Sequence, residues 1–505
     1  MLAVGPEAWQ QHLVGRADLF NPTDLGSSGT LLAVWDRHWR DHPGATVLID
    51  GSDRTSELSA EALATQTSGA AAVLVQRGVS PGDRVLWSCS PSLPSIVALL
   101  GVLRLGAVLV PVSPAMTERE LRYVVHDATP SAALLERPEH AGWIDSAATS
   151  VLMVGDLVSM SDGLAPPNLD AALPGDDALI VYTSGTTGRP KGAIHTHGSL
   201  LAGVRSLQVA WGWEPDDHLI LTLPLFHVHG LCAGLFGTLT AGASAVVFDR
   251  FSLDVVLGAA PVSTMFFGVP TMYHRLAESG RAGALAYLRL CVSGSAPLSA
   301  DLWHRLHRVD GIEVLERYGM SETLLTISNP LVGERRPGSV GLPLPGVECF
   351  ISDVDEQGVG ELMVRGPSLC RGYWGKAEAS ASLWTDGWLA TGDLASVGDG
   401  GYVTIRGRRT ELIITGGHNV YPAEVEGVLA RHPSVGEIAV VGVPSAEWGE
   451  SVVAYVVGAQ GAPDIDGLTA MAARELAPFK RPRQFRVVDA LPRNAMGKVV
   501  RRELQ

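Results

Sequence analysis

The chain has 505 residues, of which 46% are hydrophobic and 18% are charged, and its formal net charge is −15. This length and hydrophobic content predict a globular protein with a large core and more than one domain. The acidic balance argues against a nucleic-acid-binding protein and against one that binds a membrane surface through basic residues.

Cysteine spacing and the absence of a long apolar segment indicate the cellular compartment. The five cysteines are scattered and form no CxxC pair, which predicts reduced, buried thiols rather than disulfides or a zinc site. The N-terminus lacks the basic and apolar regions of a signal peptide. The most apolar stretch, 96–112, contains Arg104 and is too short to span a membrane. We therefore expect a cytoplasmic protein with no membrane span.

Buried β-branched runs alternate with helical patterns through the first 360 residues. The stretch 96–112 predicts a buried helix followed by a buried strand. Runs at 178–182, 245–248 and 264–267 predict further buried strands, and the apolar spacing of 298–309 predicts a helix. This alternation is typical of an α/β protein built in layers.

The pattern changes near residue 360, where short predicted strands are separated by glycine-rich turns. These predicted strands are 361–365, 402–406, 412–414, 437–443 and 451–457, with a predicted helix at 422–431. We therefore predict a large multi-layer N-terminal α/β domain, residues 1–409, and a small α+β C-terminal domain, residues 410–505.

The strongest local motif is Tyr182–Gly192, Tyr-Thr-Ser-Gly-Thr-Thr-Gly-Arg-Pro-Lys-Gly, which follows a predicted strand. Its glycines let backbone amides approach an anion closely, and its hydroxyls add donors. It is not a Walker A loop, because Gly192 follows the lysine where Ser or Thr is required. Only four of the 38 basic residues are lysines, so a lysine here indicates a need for its compact charge. The predicted phosphate-binding residues are Thr183, Ser184, Gly185, Thr186, Thr187, Gly188 and Lys191.

This loop resembles the signature loop of the AMP-forming adenylating superfamily, which includes acyl-CoA synthetases, luciferases and peptide-synthetase adenylation domains. Seven other motifs occur in the family's order, at 223–227, 293–297, 316–322, 391–393, 407–408, 416–422 and 492–498. The resemblance covers nearly the whole chain. It implies that ATP, Mg²⁺ and CoA are used: a carboxylate attacks the α-phosphate to give acyl-AMP, and a thiol then displaces AMP. It also implies that the small domain is mobile.

The resemblance assigns roles to residues of these motifs. Lys498 would be catalytic, bridging the carboxylate and the α-phosphate. Glu322 would hold Mg²⁺, for which carboxylate oxygen is a suitable ligand. His227 would be a gate beside the acyl pocket, although it could also be an ordinary pocket histidine or pair with His229 on a metal. The remaining nucleotide-binding residues implied by the resemblance are Ser295, Ala296, Pro297, Glu316, Arg317, Tyr318, Gly319, Met320, Ser321, Asp393 and Arg408.

The C-terminal motifs would serve the thioester-forming step. The resemblance implies that the 416–422 loop lies along the pantetheine arm of CoA. The implied CoA-binding residues are Gly416, Gly417, His418 and Lys480. Lys480 and the nearby arginines fit a solvated charge run equally well. The expected hinge falls on Thr410, where the family commonly has Asp or Lys.

One branch, the malonyl-CoA synthetases, resembles this sequence in the segments 225–231, 267–275, 316–320 and 328–338. The resemblance implies that Arg275 and Arg317 recognise a second carboxylate, with His227 and Met320 at the acyl pocket. A guanidinium can pair such a carboxylate with two hydrogen bonds. Either arginine could instead be structural. The predicted acid is therefore malonate or methylmalonate.

Four alternatives to this function stay open. The acid could be a bulkier carboxylic acid of a biosynthetic pathway. One half-reaction could be lost. The acceptor could be a carrier protein rather than free CoA. The chain could catalyse a luciferase-like oxidation. Products formed with ATP, CoA and a panel of acids would separate these alternatives.

Overall fold

The computed structural model describes residues 2–4, 8–14, 25, 29–53, 55–161, 163–183, 190–445, 447–493 and 499–505. Within these ranges the chain forms a large N-terminal α/β region and a smaller C-terminal α+β region, as predicted. None of the helices in the described part of the chain combines the length and hydrophobicity needed to span a membrane. The five cysteines are all free and buried, which confirms the expectation of reduced core thiols.

Two mixed sheets with mainly parallel strands build the first part of the chain. Across the first sheet the strands are Ser150–Met153, Ala132–Leu135, Arg84–Ser88, Val108–Pro111, Asp177–Thr183 and Lys191–Thr196. Across the second they are Leu342–Pro343, Leu324–Ser328, Val314–Met320, Leu290–Ser293, Met265–Gly268, His218–Leu221, Ser244–Val247, Thr46–Asp50 and Glu57–Ser59. Because parallel strands need crossover connections, helices cover these sheets, and the sheets are largely buried.

An antiparallel sheet completes the N-terminal region, and a fourth sheet belongs to the C-terminal region. The antiparallel sheet contains Leu2–Val4, Glu348–Ser352, Gly360–Arg365, Trp388–Val397, Trp384–Thr385 and Val403–Arg408. The C-terminal sheet contains His418–Val420, Ile413–Thr415, Gly449–Gly458, Val435–Ser445 and Gln484–Val487.

The α-helices begin and end close to the boundaries that the apolar spacing predicts. They are Leu31–Asp41, Ala60–Gln76, Leu93–Arg104, Glu118–Ala128, Leu157–Met160, His197–Trp211, Gly237–Ala241, Leu253–Ala259, Pro270–Glu278, Ala300–Arg305, Ala377–Ala381, Pro422–Leu429 and Ile465–Glu475.

The apolar stretch 96–112 is a buried helix followed by a buried strand, as its sequence predicts. Ser92 caps the helix Leu93–Arg104 through a reciprocal bond with Ser95, and the strand Val108–Pro111 follows. The predicted helix at 298–309 is partly right. It is α-helical over Ala300–Arg305 and continues as a wider π-helical turn over Leu306–Asp310.

Each region has its own apolar core. In the N-terminal region the helix Leu93–Arg104 and the strands around it are almost completely buried. In the C-terminal region Val425 and Leu429 pack against Val440 and Val452 of the sheet. Separate cores are typical of separate folding units.

Candidate active site

The predicted ribose-binding residues meet where two antiparallel strands pair. Register places Asp393 opposite Arg408, and Arg408 Nε lies 2.7 Å from Asp393 Oδ1. The phenol of Tyr318 donates a hydrogen bond of 2.6 Å to Asp393 Oδ2. Burial, followed by the charge of Asp393, raises the pKa of Tyr318 well above its usual value. The structure thus brings together three residues that the sequence predicts to bind the nucleoside.

Glu322 presents a buried carboxylate beside this cluster. Its residue is 5% exposed, and burial raises the pKa of its carboxyl group. Tyr373 donates a hydrogen bond of 2.7 Å to Glu322 Oε1. The sequence analysis missed Tyr373. The signal available was an aromatic pair between glycines, Gly372-Tyr-Trp-Gly375.

The residues around Glu322 fit a magnesium ion that arrives with a nucleotide. Mg²⁺ usually takes one or two protein carboxylates and keeps phosphate oxygens and waters for the rest of its octahedron. One buried carboxylate therefore suffices. Among the described residues there is no cluster of three or more His, Cys, Asp or Glu that could hold a metal without such a ligand.

The described ends of the phosphate loop lie next to Tyr373. Thr183 pairs with Lys191 at the end of the antiparallel hairpin, and Lys191 Nζ lies 5.1 Å from the centre of the Tyr373 ring. The predicted ammonium is therefore close to the carboxylate of Glu322. The other predicted residues of this loop and the catalytic lysine lie outside the described residues: Ser184, Gly185, Thr186, Thr187, Gly188 and Lys498.

The helix Glu118–Ala128 anchors both sides of this hairpin. Tyr123 donates a hydrogen bond of 2.8 Å to the carbonyl of Pro190. Asp127 accepts 2.8 Å and 2.6 Å bonds from Tyr182 Oη and Lys376 Nζ. These contacts explain one of the four lysines, since Lys376 pairs with a carboxylate whose side chain is only 9% exposed.

Arg317 lies buried at the predicted acyl pocket, and Gly294 makes room for it. A Cβ on Gly294 would lie 2.4 Å from Arg317 Cζ, so a larger residue would displace the guanidinium. Arg317 Nη2 lies 3.4 Å from Ser295 Oγ, and Nε has no hydrogen-bond partner among the described residues. Burial lowers the pKa of Arg317 to about 9, so the group is still charged at neutral pH.

Two neutral histidines accompany this arginine. Burial lowers the pKa of His227 to about 3, and burial together with Arg317 and His227 lowers that of His229 well below its usual value. His227 Nε2 and both ring nitrogens of His229 are buried without hydrogen-bond partners in the described part of the chain. The expectation that these histidines share a strand face is wrong, because His229 begins the π-helix His229–Phe236.

Arg275 lies elsewhere on the second sheet. It is exposed on the helix Pro270–Glu278, with Cζ 5.3 Å from the centre of the Phe251 ring. Phe251 packs on Phe266, whereas the next residue of that strand, Phe267, faces His229. Since successive side chains of a strand point to opposite faces, Arg275 and Arg317 approach the sheet from opposite faces.

The segment from Ser295 to Pro297 is held by Glu316. Ser295 has a φ of 71°, and the following Leu298 amide donates a hydrogen bond of 2.9 Å to Glu316 Oε1. Ala296 and Pro297 form the exposed part of this turn. Burial raises the pKa of Glu316 to about 8, so its carboxyl group is mostly protonated at neutral pH. Glu316 thus supports the turn through the backbone.

Gly319, Met320 and Ser321 continue this strand towards Glu322. A Cβ on Gly319 would lie 2.0 Å from the Leu324 carbonyl, so this approach requires glycine. Met320 Sδ lies 3.9 Å from Tyr318 Oη, and Ser321 presents its carbonyl to His195.

The predicted CoA-binding residues lie around one turn of the C-terminal sheet. Gly416 and Gly417 join the strands Ile413–Thr415 and His418–Val420, and the His418 ring stacks on Phe479 at 4.5 Å. Lys480 Nζ donates bonds of 2.7 Å and 2.8 Å to the carboxylate of Glu424. In this structure Lys480 is therefore part of a local ion pair.

The predicted hinge residue, Thr410, is exposed in a short 3₁₀ turn, Arg409–Glu411. Its two neighbours bind different regions of the protein. Arg409 Nη1 lies 2.7 Å from Glu361 of the N-terminal region, whereas Glu411 lies 2.8 Å from Arg501 Nη1 of the C-terminal region.

Comparison with known proteins identifies the family. Residues 35–374 match the family described as AMP-binding enzyme, and residues 424–498 match the AMP-binding enzyme C-terminal domain. The chain therefore belongs to the AMP-binding enzyme family.

Two relatives and one solved structure show the range of similar proteins. The malonate–CoA ligase of Arabidopsis thaliana is 35% identical over 477 residues, covering 85% of this chain and 78% of that protein. The feruloyl-CoA synthase of an Amycolatopsis species is 36% identical over 498 residues, covering 94% and 98%. The crystal structure of ATP-bound MatB from Rhodopseudomonas palustris matches with a TM-score of 0.89 at 36% identity, covering 94% of this chain and 98% of that one.

Proposed function

We propose that the protein is an ATP-dependent acyl-CoA ligase that forms acyl-AMP and then acyl-CoA, with malonate or methylmalonate as the acid. Membership of the AMP-binding enzyme family and the similarity to malonate–CoA ligases support the reaction type. The clustered Asp393, Arg408, Tyr318 and Glu322 support nucleotide binding.

The observation that carries the choice of acid is the buried guanidinium of Arg317 with unsatisfied polar atoms around it. Arg317 Nε, His227 Nε2 and both nitrogens of His229 lack partners among the described residues. Leaving such groups unpaired costs about 1–3 kcal/mol each. The second carboxylate of a diacid would satisfy several of them, whereas a plain fatty acid would satisfy none.

The site residues then have complementary tasks. Asp393 would accept hydrogen bonds from ribose hydroxyls, and Glu322 would hold Mg²⁺, which neutralises phosphate charge when it is bound. Lys191 would bind phosphate oxygens. Lys498 would stabilise the charge that develops as the acyl carboxylate attacks the α-phosphate. Arg317 would orient the acid so that its reacting carboxylate points towards the nucleotide.

A second candidate acid is a bulkier aromatic one. It is favoured by the similarity to feruloyl-CoA synthase, which extends over 94% of this chain. A flat aromatic acid could use the two neutral histidines without a second carboxylate.

The experiment that tests the proposal is a substrate panel. Purified protein would be incubated with ATP, Mg²⁺ and CoA against malonate, methylmalonate, acetate, a fatty acid and ferulate, and products would be measured by mass spectrometry. We expect malonyl-CoA or methylmalonyl-CoA to dominate. Feruloyl-CoA as the main product would overturn the acid, and acyl-AMP without a thioester would overturn the second half-reaction.

Lys498→Ala is the control for the assigned chemistry. It should nearly abolish acyl-AMP formation while sparing thioester formation from supplied acyl-AMP. Equal loss of both half-reactions would contradict the role given to Lys498.

We also propose that the domains divide between Arg409 and Thr410. The change of ion-pair partners from Glu361 to Arg501 across this turn supports that boundary. Such a turn can absorb the backbone rotation that the family resemblance implies. A cytoplasmic location stays a prediction, which fractionation of the native cells would test.

A further inference from the structure

A buried histidine that the proposed chemistry does not use lies under the predicted Mg²⁺ carboxylate. His195, on the strand Lys191–Thr196, has no exposed surface. Its Nε2 lies 2.7 Å from the carbonyl oxygen of Ser321, the residue directly before Glu322. A distance this short joins the phosphate-loop hairpin to the Ser321–Glu322 peptide.

The chemistry of the two partners fixes which atom donates. A carbonyl oxygen only accepts hydrogen bonds, so Nε2 carries the proton. His195 Nδ1 is buried with no partner among the described residues. A neutral imidazole with a protonated Nε2 satisfies this arrangement, and burial lowers the pKa of His195 to about 4.

The peptide that His195 holds is fixed from its other side as well. The amide of Cys370 donates a hydrogen bond of 2.7 Å to the carbonyl of Glu322. The segment that follows Cys370 pairs with the His195 strand, through Ile194 N to Gly372 O at 2.9 Å. The backbone on both sides of the Glu322 side chain is therefore attached to one strand, which begins at Lys191.

We propose that His195 is a positioning residue for adenylation. Its bond to the Ser321 carbonyl sets the Ser321 hydroxyl and the Glu322 carboxylate at a fixed distance from Lys191. The magnesium–nucleotide complex then meets these three groups in register. His195 does not touch the substrate, and its effect passes through the backbone. The inference rests on the proposed nucleotide chemistry of the site.

The test compares His195→Leu, which removes the donor, with His195→Gln, whose side-chain amide can donate to the same carbonyl. A matched control is His12→Leu. His12 is also buried, with Nε2 3.4 Å from a backbone carbonyl, that of Leu342. Readouts are the MgATP concentration for half-maximal acyl-AMP formation, thioester formation from supplied acyl-AMP, and the rise in melting temperature that MgATP causes without acid.

We expect His195→Leu to raise the half-saturating MgATP concentration by about 10- to 100-fold, the usual cost of losing a group that orients a metal ligand. Thioester formation from acyl-AMP should be nearly unchanged. His195→Gln should restore most of the MgATP response, and His12→Leu should leave it unchanged.

The inference is overturned if His195→Leu behaves like His12→Leu, or if both half-reactions fall equally and His195→Gln rescues neither. If His195→Leu does not fold, His195→Gln is compared with His195→Asn, whose shorter amide cannot reach the carbonyl. A wild-type protein that ligates no acid would contradict the proposed function. In that case the acid-independent melting shift would still decide the role of His195.

Discussion

The phenol of Tyr373 donates a hydrogen bond of 2.7 Å to the buried Oε1 of Glu322, and it links the metal-binding carboxylate to the phosphate loop. The Tyr373 ring lies 5.1 Å from Lys191 Nζ, and the Trp374 amide bonds the Gly192 carbonyl at 2.8 Å. One aromatic residue thus touches both charged groups that would meet the triphosphate.

Tyr373→Phe should therefore slow acyl-AMP formation about tenfold. The change leaves a buried carboxylate oxygen unsatisfied, which costs about 1–3 kcal/mol. Thioester formation from supplied acyl-AMP should change little, because the pyrophosphate has already left. Rapid-quench measurement of both half-reactions checks this expectation.

Tyr402→Phe is the matched control for Tyr373→Phe. Its phenol also donates to an oxygen, the Glu334 carbonyl at 2.6 Å, but on a different part of the surface. If both variants lower the two half-reactions alike, the Tyr373 contact has no specific role in adenylation.

Asp127→Ala should destabilise the protein by about 2–3 kcal/mol. It removes the common acceptor of Tyr182 and Lys376 and leaves the Tyr182 hydroxyl unpaired. Lys376→Ala should cost less than about 1 kcal/mol, because that side chain is 39% exposed and solvent screens its charge. Urea unfolding of both variants gives these values, and a larger loss for Lys376→Ala would contradict the assignment of Asp127 as the central group.

Motif order predicted much of this site because each motif follows the end of a strand. The run 178–182 predicted the strand Asp177–Thr183, and with it the position of Lys191 at the hairpin end. The pairing of Asp393 with Arg408 was likewise implied by two short predicted strands. Local β-branched patterns carry this information.

What the sequence could not supply were contacts between distant segments. His195 and Tyr123 are ordinary strand and helix residues locally, and their roles arise only when Ser321 and Pro190 reach them. The opposite placement of Arg275 and Arg317 depends on which face of a buried strand each helix covers. A fully apolar strand such as Met265–Gly268 gives no alternation from which to predict that face.

Glu316→Gln should flatten the pH dependence of stability between about pH 4.5 and 8. The folded-state pKa of Glu316 is raised from 4.5 to about 8 by burial. Between these values the folded protein holds a proton that the unfolded chain has released, so stability falls as pH rises. Glutamine keeps the acceptor for the Leu298 amide and cannot ionise.

Melting temperatures of wild-type protein and Glu316→Gln from pH 5 to 9 check this expectation. The variant should gain stability relative to wild type as pH rises, with most of the difference present by pH 8. Parallel curves would show that the Glu316 carboxyl group ionises normally in the folded protein.

Arg317→Met should lower kcat/KM for malonate by about 100-fold, because a desolvated carboxylate would lose a charge-assisted hydrogen-bond partner. Use of acetate should fall much less. Arg275→Ala should also affect malonate more than acetate, but by a smaller factor, since its guanidinium is exposed over Phe251. Steady-state kinetics with both acids measure the two ratios. A larger malonate-specific loss in Arg275→Ala than in Arg317→Met would place the second carboxylate on the Phe251 side of the sheet.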